Sequence, residues 1–183
     1  MTPPPPDPRL AALVDALRRS FDGEAWHGPS LAEALGGVDA RTAAARPIPG
    51  AHSVWELAGH LAAWTREVAR RAGGQPPGQP REGHFPPVPA PADAAAWGRT
   101  RAELDAARDA LLAAAAALPP ERLDALLPPR TDGAPDEPQT YARMLAGLAE
   151  HNAYHGGQIV LLRRALGGAP NATADATPNA GAS

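Results

Sequence analysis

Proline placement limits what this chain can form. There are 23 Pro in 183 residues, and a proline inside a helix removes a hydrogen bond and clashes with the preceding turn. These prolines are clustered, so they punctuate helices and do not abolish them. The stretches between clusters are rich in alanine and leucine, which favour helix over strand. Four of them carry apolar residues at helical spacing.

The first predicted helix covers 8–22, with Leu10, Leu13, Val14, Leu17 and Phe21 on one face. A short helix near Pro29–Leu35 follows and ends at Gly36-Gly37. The second long helix covers 53–72. Ser53 and Glu56 have capping-box spacing, and Val54, Leu57, Leu61 and Val68 form its stripe. Residues 73–91 form a Pro-rich connector that cannot sustain a helix. The third long helix covers 92–118, where Trp97, Leu104, Leu111 and Leu118 recur every seven residues as a bundle seam does. Pro119-Pro120 stops it, and a short helical turn over 121–127 follows. The fourth covers 138–166, with Tyr141, Leu145, Leu148, Ile159, Leu162 and Leu166 on one face.

No strand pattern competes, so the expected fold is all-α, a four-helix bundle with a long connector between its second and third helices. The expected domain is 9–166, between a polyproline tail at 1–8 and a small-residue, disordered tail at 167–183.

Composition narrows the function classes. The formal net charge is −3, and all 17 basic residues are arginine. That leaves no basic footprint for nucleic acid and no polybasic membrane anchor. Ala, Gly, Pro and Arg are inflated together, as codon bias in a GC-rich genome would produce. The absence of cysteine excludes disulfides, thiolate nucleophiles and Cys-ligated metals. No apolar run approaches the roughly 20 residues of a membrane span, and the N-terminus lacks the pattern of a signal peptide. A cytoplasmic protein is the expectation.

Chemistry is carried by histidines. His151 and His155 are four apart on the fourth helix, so both imidazoles can reach one point, as in a two-histidine metal clamp. They lie on the side of Leu148, Ile159 and Leu162, and imidazoles turned into a core need partners for their nitrogens. A pair hydrogen-bonded to backbone or water is the alternative. The intervening Asn152, Ala153 and Tyr154 provide no glutamate, which excludes the zinc-peptidase pattern His-Glu-x-x-His. His60 flanks the stripe of the second helix beside Leu57 and Trp64. It is either a satisfied helical residue or a third ligand that leaves a fourth corner open, as catalytic metal sites require.

Two segments carry a family resemblance: Ser53-Val54-Trp55-Glu56-Leu57-Ala58-Gly59-His60-Leu61-Ala62-Ala63-Trp64, and Glu150-His151-Asn152-Ala153-Tyr154-His155-Gly156-Gly157-Gln158-Ile159. Together they resemble the two motifs of the DinB/YfiT superfamily. Trp26-His27-Gly28-Pro29-Ser30-Leu31 resembles an N-terminal segment of many members. The resemblance implies a four-helix bundle, often a homodimer, with one divalent ion held by His60, His151 and His155. It also implies a class that includes thiol-dependent transferases and isomerases using bacillithiol or mycothiol, beside many members of no known reaction. The 73–91 connector is longer than the resemblance leads one to expect.

Around these histidines, Glu56 and Gln158 are candidates to orient a ligand, with Glu56 equally suited to its cap. Trp64 is a candidate pocket wall and Tyr154, with Asn152, a candidate for the rim; plain core packing is the alternative for Trp64 and for Tyr154. His52 is expected to pack beside the helix start and His27 in a turn, while His84 sits beside Phe85 in the connector, where it can fold over the metal. Three neutral imidazoles leave the ion its full charge, which favours ionisation of a bound thiol or water. Zinc is the first expectation for an all-nitrogen site and nickel the next. The partners expected are a small-molecule thiol and an electrophilic substrate. A non-catalytic metal-containing binding or stress-response protein, or a metal-dependent hydrolase, are the alternatives.

Overall fold

The computed structural model describes residues 7–134 and 137–167. Residues 1–6 and 168–183, where the sequence suggests tails, lie outside the described residues. The fold is all-α: helices α1 (Pro8–Asp22), α2 (Leu31–Leu35), α3 (Ala40–Ala44), α4 (Val54–Ala72), α5 (Ala94–Ala116) and α6 (Tyr141–Ala165), with a 3₁₀ turn at Pro120–Arg122. Among the described residues the only β-type pairing is a lone bridge between Leu126 and Thr140.

Each helix starts where a side chain can accept its first amide protons. Asp7, Asp93 and Thr140 cap α1, α5 and α6. Ser53 and Glu56 close a reciprocal capping box on α4, and Ser30 and Glu33 do so on α2. The short α3 follows Asp39, whose carboxylate accepts the Thr42 N–H at 2.7 Å.

The four long helices form a ring in which α4 packs on α5 and α6, and α1 packs on the same two. Leu17, Leu61, Leu111, Leu145 and Ile159 meet in the fully buried interior, and the seam Trp97, Leu104, Leu111 and Leu118 is buried throughout. Two indoles tie the starts of α4 and α5 to their surroundings. Trp55 Nε1–H donates to Thr100 Oγ1 at 2.9 Å, and Trp97 Nε1–H donates to the Val38 carbonyl at 2.7 Å.

Trp55 begins α4 while Trp97 and Thr100 begin α5, so these two helices run in the same direction. A tight turn cannot join parallel neighbours, and the 73–93 connector provides the return path. It travels back along α4, with Gly78 beside Glu67, His84 beside Trp64, and Pro86 over Gly59. A Cβ at Gly59 would sit 3.7 Å from the Pro86 ring, in ordinary contact distance.

The turn of the connector is secured by Glu67, which is only 5% exposed. Its Oε1 accepts from Arg71 Nε at 2.7 Å, Gly78 N–H at 2.8 Å and Arg70 Nη2 at 2.9 Å. Burial acts to raise its pKa, but hydrogen bonds from Arg70, Arg71 and the Gly78 amide together outweigh burial and hold it below the ordinary 4.5. Because the folded-state pKa is depressed, Glu67 stabilises the fold fully above its unfolded pKa, and that contribution is lost as pH falls through the lower folded value. In urea unfolding at pH 6 and pH 3, the stability gap between wild type and Glu67→Gln is therefore expected to narrow in acid. A gap that widens toward pH 3 would contradict this.

Candidate metal centre

The α4 and α6 stripes face each other with opposite directions, because Arg71 near the end of α4 shares a cavity with Arg143 near the start of α6. This brings His60, on the second turn of α4, opposite His151 and His155 on α6. The ring centroids are 5.0 Å apart for His60 and His151, 4.6 Å for His60 and His155, and 4.5 Å for His151 and His155. One nitrogen from each lies within 4.8 Å of the others, an arrangement that could hold a metal ion. His60 Nε2 and His151 Nε2 are 3.0 Å apart. Tetrahedral nitrogen ligands on a shared zinc, with bonds of about 2.0–2.1 Å, lie about 3.4 Å apart, so this spacing is of the right scale.

Two of the three rings have their tautomer fixed by the protein. His60 Nδ1–H donates to the His84 carbonyl at 2.6 Å, and His155 Nδ1–H donates to Gln158 Oε1 at 2.7 Å. In each the Nε2 lone pair is thereby left for a cation, the role such hydrogen bonds serve in metal sites. His151 differs: its Nδ1 is buried with no partner among the protein atoms. With its proton on Nε2, Nδ1 is a buried acceptor without a donor. With its proton on Nδ1, two Nε2 lone pairs oppose each other at 3.0 Å. A cation between the Nε2 atoms relieves that opposition, so the donor set fits a divalent ion.

Protonation favours the same use. Burial lowers the pKa of all three imidazoles, with His151 brought to about 4 by burial and by its two histidine neighbours. The His84 carbonyl partly opposes this at His60, as Gln158 does at His155. Uncharged imidazoles at neutral pH are what a metal needs.

The other residues singled out in the sequence fall in different places. Gln158 touches the cluster directly through His155. Tyr154 is 65% exposed and meets the His155 ring edge-on at 4.9 Å. Trp64 is half-buried, edge-on to His60 at 6.5 Å, and walls a cavity of about 210 Å³ that reaches His151. Glu56 is held elsewhere: it accepts from the Ser53 amide at 2.8 Å, pairs with Arg46, and lies 3.7 Å from His52. The proton of His60 goes instead to the connector carbonyl. His27 is exposed and lines a separate cavity with Trp26 between α1 and α6.

Phe85 also touches the cluster. Its ring is sandwiched between His52, at 3.7 Å, and His60, at 4.2 Å, both nearly parallel to it. A lone phenylalanine in a Pro-rich segment carries no periodicity that would have marked it. His84 folds back as the sequence allowed, but its contribution to His60 is a main-chain oxygen, and its ring packs 5.3 Å from Trp64.

Because Gln158 is, among the described residues, the one side chain hydrogen-bonded to the cluster from outside it, Gln158→Ala is expected to weaken divalent-metal affinity about 10–100-fold while leaving the fold intact. Competition titration against a chelating indicator measures this, and unchanged affinity would remove Gln158 from the site.

The fold and cluster define a class: all-helical proteins with three imidazoles from two helices of a ring converging on one point. The DinB superfamily pattern matches residues 25–159, a span that contains all three histidines, and the chain belongs to that superfamily. No curated protein and no solved structure matches it.

Proposed function

We propose that this protein is a divalent-metal-dependent transferase that uses a low-molecular-weight thiol of the bacillithiol or mycothiol type, with zinc, or next nickel, held by His60, His151 and His155. The observation that carries the reading is the convergence of three uncharged imidazoles, His60 and His155 buried and His151 part-buried, with His151 lining a cavity. A divalent ion there would supply the positive charge that makes a thiol at the fourth corner ionise near neutral pH. The chain's own residues do the rest. The His84 carbonyl and Gln158 fix the tautomers, and the apolar side chains of Trp64, Val68, Met144 and Leu148 line part of the approach to His151. The thiolate sulfur forms a bond to an electrophilic carbon, the leaving group departs with the bonding pair, and the thiol proton goes to solvent.

Hydrolysis is less well supported, because it calls for a general base near the reacting water. The groups bonded to the imidazoles from outside the cluster are an amide and a main-chain carbonyl, which take up no proton at neutral pH. A purely structural metal is less well supported because the cavity reaches His151. We further take residues 9–166 as one domain acting as a cytoplasmic homodimer. The fully exposed Trp26, beside a cavity walled by Ala16, Ala149 and Ala153, offers a self-complementary contact.

Metal-loaded protein assayed with bacillithiol or mycothiol and an aryl halide electrophile is expected to turn over well above a His60→Ala variant. Equal rates would refute the transferase reading.

A further inference from the structure

The cavity that ends at His151 has two chemically distinct ends. Near the cluster its walls are Trp64 and Leu148, with Val68 and Met144 further along. At the far end are Arg71 and Arg143, and among the described residues no carboxylate lines it. Arg71 is 5% exposed and held in place by Glu67 on Nε and by the Gly78 carbonyl on Nη2 at 2.9 Å, with its guanidinium 5.5 Å from the Trp64 ring centroid. Those bonds leave Nη1 without a protein partner among the described residues. Arg143 is exposed and only loosely tied to Glu150, at 3.4 Å. Such a surface pair contributes little and yields easily to a better anion.

Along the helix axes His60 and Arg71 are eleven residues apart on α4, and His151 and Arg143 eight apart on α6, roughly 12–17 Å of rise at 1.5 Å per residue, and the Arg71 side chain reaches back toward the cluster as far as the Trp64 ring. A buried, pre-oriented guanidinium and an exposed one lining the same cavity are suited to the two oxygens of a carboxylate, which arginine binds by directed, charge-assisted hydrogen bonds.

We propose that this cavity binds a carboxylate-bearing cosubstrate lengthwise, with the carboxylate between Arg71 and Arg143 and the thiol at the three histidines. The thiol end rests on the transferase reading above; the carboxylate end does not.

The test uses ω-mercaptooctanoate, roughly 10 Å long from standard C–C geometry, against the neutral ω-mercaptooctanol. Binding to the cobalt-loaded full chain is read by the sulfur-to-cobalt absorption band. The carboxylate form is expected to bind at least about tenfold tighter in wild type, and Arg143→Gln is expected to bring the two ligands to near equality. Equal affinities in wild type, or a preference unchanged in both Arg143→Gln and Arg71→Lys, would overturn the proposal.

A second arm separates it from the transferase reading. Octanoate and octanol are titrated calorimetrically into metal-free protein. If neither thiol gives the cobalt band, the transferase reading fails. The carboxylate site then stands on an octanoate preference abolished by Arg143→Gln, and falls without one.

Discussion

His155→Ala is expected to bind no divalent ion under conditions where the wild-type chain binds one. His155 is 7% exposed, lies 4.5–4.6 Å ring-to-ring from both other histidines, and has its free nitrogen defined by Gln158. Two imidazoles would remain, from different helices, and among the described residues no carboxylate joins the cluster to replace the third. The loss should exceed the about 10–100-fold typical of removing a ligand's hydrogen-bond partner. Elemental analysis after dialysis reads the stoichiometry, and His151→Ala and His60→Ala should behave alike. His27→Ala is the control, since His27 is exposed in a different cavity. Far-UV circular dichroism should stay helical in all four, because the ring of helices is held by its leucine and tryptophan core. Retention of one ion per chain at wild-type affinity in His155→Ala would overturn the three-histidine site.

Glu67→Ala is expected to destabilise the fold by about 3–5 kcal/mol, because removing one partner of a buried ion pair strands the other charge. The stranded group is the Arg71 guanidinium, itself 5% exposed. The substitution also frees the Gly78 amide, and with it the first bend of the connector. For a chain of this size such a loss lowers Tm by roughly 10 °C or more. Glu67→Gln, which keeps an acceptor in place, should fall between wild type and alanine. Thermal and urea unfolding measure both. A loss below about 1 kcal/mol would place Glu67 with the exposed pairs, such as Arg9 with Asp124, that add little.

Much of the helical framework could be read from the sequence because the signals were local. The stripes of α1, α4 and α6 and the sevenfold seam of α5 are periodic. Proline clusters mark their ends, and Ser53 with Glu56 announces the start of α4. The helix over Ala40–Ala44 was not anticipated: five residues rich in alanine give too short a run for periodicity to register. The turn expected over 121–127 is confined to Pro120–Arg122. The spacing of His151 and His155 suggested a shared focus, but the partner of His60 was not legible. Its hydrogen bond goes to a peptide oxygen, which every residue carries, and no residue type could point to it. The stacking of Phe85 and the aim of Arg71 into the cavity likewise depend on where the connector runs. Proline-rich sequence says only where that path is not helical.

The hydrogen bond from His60 to a peptide oxygen at position 84 makes the imidazole's proton a property of chain path and not of chain chemistry. Any amino acid placed at 84 would present the same oxygen, so substitutions there should leave the tautomer alone. One residue added to or removed from the segment between Gly78 and Pro86 would shift that oxygen by about 3.8 Å along the backbone and uncouple it from the ring. In this protein the length of an apparently shapeless strap is thus the quantity under constraint, while its spelling is comparatively free.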